Sequence, residues 1–124
     1  MKYLVAIDGT EESHKAFQIA KDLYKSGDNV SIVTCCPTNK TTDVEKAESL
    51  LTNYSKMCSE SGMPNDTILM NVDPKKGILD AVENNQTDVL ILGTRGMGII
   101  KRALIGSVSQ HVRDKVSCDV IIAK

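Results

Sequence analysis

The hydrophobic residues of this chain fall into two alternating rhythms. Residues 2–8 (KYLVAID) are a short apolar run rich in strand formers, ended by Gly9. Thr10 then caps a helix whose first turn carries Glu11 and Glu12, on the favourable side of its dipole. Ala16, Ile19, Ala20 and Leu23 recur at helical spacing until Gly27 stops the run. A second strand covers residues 30–36 (VSIVTCC) and closes at Pro37. After a polar approach over residues 40–42, Val44, Ala47, Leu51, Tyr54 and Cys58 mark one helix face, which Gly62 and Pro64 terminate. Residues 67–72 (TILMNV) form a third strand, and Asp73-Pro74 starts a helix as a cap followed by proline. Residues 88–93 (DVLILG) are a fourth strand, 107–116 a fourth helix and 119–124 (DVIIAK) a fifth strand.

Strands that alternate with helices predict an α/β fold. The expected architecture is a single-domain, doubly wound (Rossmann-like) five-stranded parallel sheet with four helices and strand order 3-2-1-4-5, spanning residues 1–124. The near-continuous apolar character of the fourth and fifth strands fits strands covered on both faces. In such sheets ligands bind beyond the carboxyl ends of the strands, which directs attention to the loops after Asp8, Cys36, Val72 and Gly93.

Composition narrows the function. Fifteen basic against sixteen acidic side chains give a formal charge of −1, so nothing draws the chain as a whole to nucleic acid or an anionic membrane. No apolar run approaches the roughly 20 residues of a membrane span, and the first residues are too short an apolar stretch for a signal peptide. A cytoplasmic protein is expected. Aromatic residues are scarce, leaving the core to aliphatic side chains. The four cysteines include no C-x-x-C pair, and His14 and His111 lie far from any metal-like spacing. Free thiols in a reducing compartment are expected, with a redox switch at Cys35 and Cys36 as the alternative; both histidines are read as surface residues.

Residues 93–107 (GTRGMGIIKRALIGS) stand apart. Gly93, Gly96 and Gly98 leave the backbone open to close approach, and Arg95, Lys101 and Arg102 add positive charge. Gly106-Ser107 opens a helix, whose free N–H groups and partial positive charge receive phosphate. A polyphosphate suits all three features, although the glycines could equally do no more than make a tight turn. No Walker A loop occurs, and Gly93-x-x-Gly96-x-Gly98 inverts the dinucleotide-binding order.

Gly93-x-x-Gly96, nine residues, then Gly106-Ser107 resembles the G-2x-G-9x-G-[S/T] signature of ATP-binding universal stress proteins. The resemblance extends over essentially the whole chain, from the opening Val5-Ala6-Ile7-Asp8-Gly9-Thr10 to the closing GTRG…GSV…DVII block. It implies an ATP site in which Asp8 sits beside the adenosine and Ala6 lines its pocket. Cys35 falls where that family often places an aliphatic residue against adenine, and Leu92 and Gly93 would contact the ribose region. Gly96, Gly106, Ser107 and Val108 would hold the phosphates, with a divalent ion such as Mg2+ bridging them. The resemblance also implies a homodimer through the last strand, from Val120 to Ala123, an apolar edge with little protection against pairing.

No residue stands out as a base for ATP hydrolysis, so at most slow turnover is expected. The reading is of a nucleotide-dependent stress-response regulator. Its alternatives are a protein-interaction module of the same fold without nucleotide, or a slow ATP hydrolase.

Overall fold

The computed structural model describes residues 1–94 and 107–124. The candidate positions Arg95, Gly96, Gly98, Lys101, Arg102 and Gly106 lie outside the described residues. The elements follow as β1 (Lys2–Ala6), α1 (Glu11–Leu23), β2 (Asn29–Cys35), α2 (Thr41–Glu60), β3 (Asn65–Met70), α3 (Pro74–Asn84), β4 (Val89–Gly93), α4 (Ser107–Lys115) and β5 (Asp119–Ala123). All strand pairs are parallel and the sheet order is β3-β2-β1-β4-β5, as the sequence pattern predicts.

Side chains alternate between the two faces of the sheet because the strand period is two. On β1 and just beyond it, Tyr3, Val5 and Ile7 face a cluster built from Ala16, Phe17 and Ala20 of α1 and Leu51, Tyr54 and Cys58 of α2. Leu4 and Ala6 face the opposite cluster, with Ile78, Ala81 and Val82 of α3 and Val108 and Val112 of α4. Leu4, Ile32, Leu90, Ile91 and Leu92 are fully buried. Each such side chain contributes about 1.5–3 kcal/mol of burial energy, which makes the double coverage the main source of stability.

The helix starts behave as their sequences dictate. The Thr10 hydroxyl accepts a hydrogen bond from the Ser13 N–H at 3.2 Å. Asp73 accepts one from the Lys76 N–H at 3.2 Å, with Pro74 in the first turn. α2 begins at Thr41, inside the stretch read as a polar approach, and its cap residue Lys40 makes no side-chain hydrogen bond. β3 lies two residues earlier than the apolar pattern suggests. Val30 donates its N–H to the Pro64 carbonyl at 3.1 Å, and that contact sets the register from Asn65 onward.

His14 is half-buried, not a surface residue. Its Nδ1 lies 2.8 Å from the Tyr54 hydroxyl, joining α1 to α2, and Phe17 meets Tyr54 edge-on with ring centroids 4.8 Å apart. The residue precedes Phe17 by one turn and so shares the helix face turned toward α2.

Gly93 ends β4 hard against the start of α1. A β-carbon there would stand 2.7 Å from Glu12 Cβ and 2.9 Å from the Glu12 carbonyl carbon, so a side chain would push backbone. Gly93→Ala is therefore expected to destabilise the fold by about 1–3 kcal/mol, the usual cost of overpacking, measured by urea unfolding. An unchanged midpoint would show that α1 moves freely away from β4.

Candidate functional site

The carboxyl end of the sheet gathers three chain segments. β1 is flanked by β2 and β4, and the strand that follows β1 in sequence, β2, lies on one side of the order reversal while the strand that follows β4, β5, lies on the other. Such a reversal opens a crevice between the two loops. Here the β1–α1 loop, residues 7–10, meets the ends of β2 and β4.

Asp8 stands at that point, half-buried. Its Oδ1 accepts hydrogen bonds from the Thr10 N–H at 3.0 Å and from the Thr10 hydroxyl. Its own N–H donates to Ser13 Oγ at 3.3 Å, and that hydroxyl donates to the Thr10 carbonyl at 3.0 Å. Asp8 Oδ2 is buried and has no hydrogen-bond partner among the described residues. A buried carboxylate oxygen without a donor is costly, and a ligand donor would relieve it.

Asp8 also lines a cleft of about 240 Å³ over the ends of β1 and β2. Thr34, Cys35 and Cys36 line it from β2 and the residue after it, Pro37 and Thr38 from the following loop, and Asp43, Lys46, Ala47 and Leu50 from α2. The loop is braced by Asn71, whose Nδ2 donates to the Cys36 carbonyl at 2.7 Å and the Thr38 carbonyl at 3.1 Å. Thr38 donates its hydroxyl to Asp43 Oδ2 at 2.7 Å, tying the same loop to the first turn of α2. Thr34 donates to the Ile7 carbonyl at 2.7 Å, which fixes where β1 gives way to Asp8.

The remaining sequence-predicted residues occupy distinct positions. Cys35 shares the cleft with Asp8, but its thiol packs toward α3, where a β-carbon on Gly77 would come within 2.6 Å of Cys35 Sγ. Ala6 and Leu92 are fully buried in the core on the α3–α4 side. Gly93 abuts α1, so close packing alone requires glycine there. Ser107 opens α4 and is exposed, and Val108 beside it is buried. Gly96 and Gly106 lie outside the described residues. α4 is linked to the end of β4 by Ser109, whose hydroxyl donates to the Thr94 carbonyl at 3.2 Å.

The α2 wall of the cleft (Asp43, Lys46, Ala47, Leu50) and the bracing Asn71 escape sequence reasoning, since they are ordinary helix and loop residues until the fold sets them over β2. Thr10 and Ser13 carry a local signal, the cap spacing, but nothing in it points to Asp8.

Burial governs the titration of the site's neighbourhood. Burial first and the Asp73 carboxylate second push the Cys35 thiol from 9.0 up to about 12. Burial pushes Cys58 up to about 11. Burial, with the Asp8 carboxylate adding to it, raises the Tyr54 phenol above its ordinary value.

A five-stranded parallel sheet wound on both faces, with a carboxylate loop at the strand-order reversal, defines a doubly wound α/β protein. The model of the universal stress protein family matches residues 1–124, and the chain belongs to that family. It is 28% identical over 145 residues to the universal stress protein YxiE of Bacillus subtilis, covering 99% of this chain and 98% of the relative. The fold is shared with a universal stress protein of Archaeoglobus fulgidus in complex with dAMP, at TM-score 0.82 and 21% identity over 100% of this chain and 98% of the other. It is shared as well with a family member from Arabidopsis thaliana with AMP bound, at TM-score 0.76 and 20% identity over 100% and 91% of the two chains.

The thiol shifts give a pH prediction. In the unfolded chain Cys35 and Cys58 ionise near 9, but in the fold they stay neutral to about 12 and 11. A group whose folded pKa is raised stabilises the fold below its unfolded value and loses that contribution as pH climbs through the folded one. Stability should therefore fall between pH 9 and pH 12, and Cys35→Ser with Cys58→Ala should flatten the decline, followed by urea unfolding across that range. An equal decline in the double variant would refute the assignment.

Proposed function

We propose that this chain is an ATP-binding member of its family, a nucleotide-dependent stress-response regulator that works as a homodimer in the cytoplasm, with residues 1–124 as one nucleotide-binding domain. The observation that carries the reading is the buried Oδ2 of Asp8, without a hydrogen-bond partner among the described residues, at the order reversal of the sheet and beside a cleft large enough for part of a nucleoside. That two structural neighbours hold AMP or dAMP supports an adenine nucleotide as the occupant.

In this reading Asp8 receives a donor from the nucleoside and Cys35 borders the base, with Ala6 beneath the pocket. Leu92 and Gly93 flank the ribose region. Gly96, Gly106, Ser107 and Val108 hold phosphate, the last two from the first turn of α4, where N–H groups are free of helical partners. Mg2+ would ride on the phosphates and water, as that ion commonly does. Among the described residues no group of three acidic, histidine or cysteine side chains is placed to hold a metal. No residue of the sequence stands out as a base for hydrolysis, so turnover is expected to be slow at most.

Val120, Ile121 and Ile122 of the edge strand β5 are half-buried and pair on one side only, with β4. An apolar edge of this kind pairs with a second strand, which supports the homodimer.

Mg-ATP at 100 times its Kd should stabilise the protein by about 2.7 kcal/mol, read as a thermal shift, and adenine nucleotide should be released on denaturing protein purified from cells. Replacing Gly106 and Ser107 by bulkier residues should abolish the shift and leave the fold intact. No shift in the wild type and no released nucleotide would sink the proposal. In sedimentation velocity the chain should run at twice its own mass, and a monomer at micromolar concentration would remove the dimer from it.

A further inference from the structure

The carboxylate of Asp8 is not free to turn. Thr10 takes Oδ1 with both its N–H and its hydroxyl, while the same hydroxyl accepts from Ser13 and so also caps α1. Ser13 closes the ring by accepting from the Asp8 N–H and donating to the Thr10 carbonyl. Ser13 is fully buried, so the ring is walled in on its α1 side. The consequence is an asymmetric carboxylate: one oxygen is consumed within the loop, and the other is buried with no partner among the described residues.

We infer that Thr10 is a positioning residue for ligand binding: it clamps Asp8 so that Oδ2 alone meets the ligand, and that oxygen selects a ligand N–H or O–H donor. This rests on the nucleotide reading above, in which the donor is a ribose hydroxyl or the exocyclic amino group of the base. A carboxylate oxygen with both lone-pair directions unused within the loop rejects a ligand acceptor and rewards a donor, since a hydrogen bond to a charged group is roughly twice as strong as a neutral one.

The clamp makes the outcome of Asp8→Asn specific. The Thr10 N–H must keep an acceptor, so the amide oxygen takes the place of Oδ1 and the amide NH2 takes the place of Oδ2. A donor then faces the ligand donor, although the side chain has hardly changed in size. The variant should stay folded and lose affinity for Mg-ATP by roughly tenfold or more, the weight of one buried charged hydrogen bond.

Calorimetric Kd values for Mg-ATP on the full chain, with thermal midpoints alongside, test the idea through a double-mutant cycle. Thr10→Ser keeps both donors and should bind within about twofold of wild type, whereas Thr10→Val loses the hydroxyl and should weaken binding roughly tenfold. Because Thr10 acts through Asp8, Thr10→Val should add little in an Asp8→Ala background. Losses that multiply across the cycle, or a Thr10→Val variant with lowered midpoint and unchanged Kd, would reduce Thr10 to a helix cap and overturn the inference. Inosine triphosphate and 2′,3′-dideoxy-ATP then name the donor: a loss of affinity with either supports the donor role of the ligand, and no loss with both overturns it. Wild-type protein that ignores Mg-ATP altogether would instead bring down the nucleotide reading itself, and the inference with it.

Discussion

Everything at the carboxyl end of this molecule hangs on β1. It is hydrogen-bonded on both edges, to β2 and β4, and its side chains from Tyr3 to Ala6 are buried on both faces. Such a strand has no freedom of register, because a slip by one residue would exchange the α1–α2 face with the α3–α4 face and move every apolar side chain to the wrong cluster. The point where it ends is therefore fixed in space. Ile7 still donates to the Val33 carbonyl at 2.9 Å, and the next residue, Asp8, is the first to leave the sheet.

From there the constraint passes into the loop. Gly9 adopts a positive φ of 86°, which lets the chain reverse within one residue and bring Thr10 back over the Asp8 carboxylate. Thr10 then serves two elements at once, as cap of α1 and partner of Asp8. α1 in turn lies so close to β4 that only glycine fits at position 93. The central strand, the first helix and the end of β4 thus form one rigid corner, and it holds the Asp8 oxygen that has no partner among the described residues. A preorganised acceptor of that kind binds with less ordering cost than one on a mobile side chain.

The cysteines show how the same alternation sorts chemistry. Cys35 and Cys36 are neighbours in sequence, yet successive side chains of a strand point to opposite faces. Cys35 is packed toward α3 with its thiol pushed up to about 12, and Cys36 Sγ sits on the other side, 3.5 Å from the Thr38 carbonyl. A vicinal pair read along the chain as a redox candidate is, in the fold, two thiols in separate environments.

The element order and the burial of the strands on both faces follow from local information: apolar runs of strand length, helical spacing, and caps such as Thr10 and Asp73-Pro74. The position of Asp8 at the carboxyl end of the first strand was legible for the same reason. The boundary of β3 was not, because it is set by a hydrogen bond from distant chain, the Val30 N–H to the Pro64 carbonyl, and the start of α2 was not, because its cap residue Lys40 makes no side-chain hydrogen bond that would mark it. The His14–Tyr54 contact and the α2 wall of the cleft likewise depend on groups about 40 residues apart in sequence meeting in space, whereas the clamp on Asp8 is local, made by Thr10 and Ser13 of the same loop and helix start. Periodicity along a chain records which face of an element is buried; which other element covers that face, and how a polar group is used up there, is decided only when the elements pack.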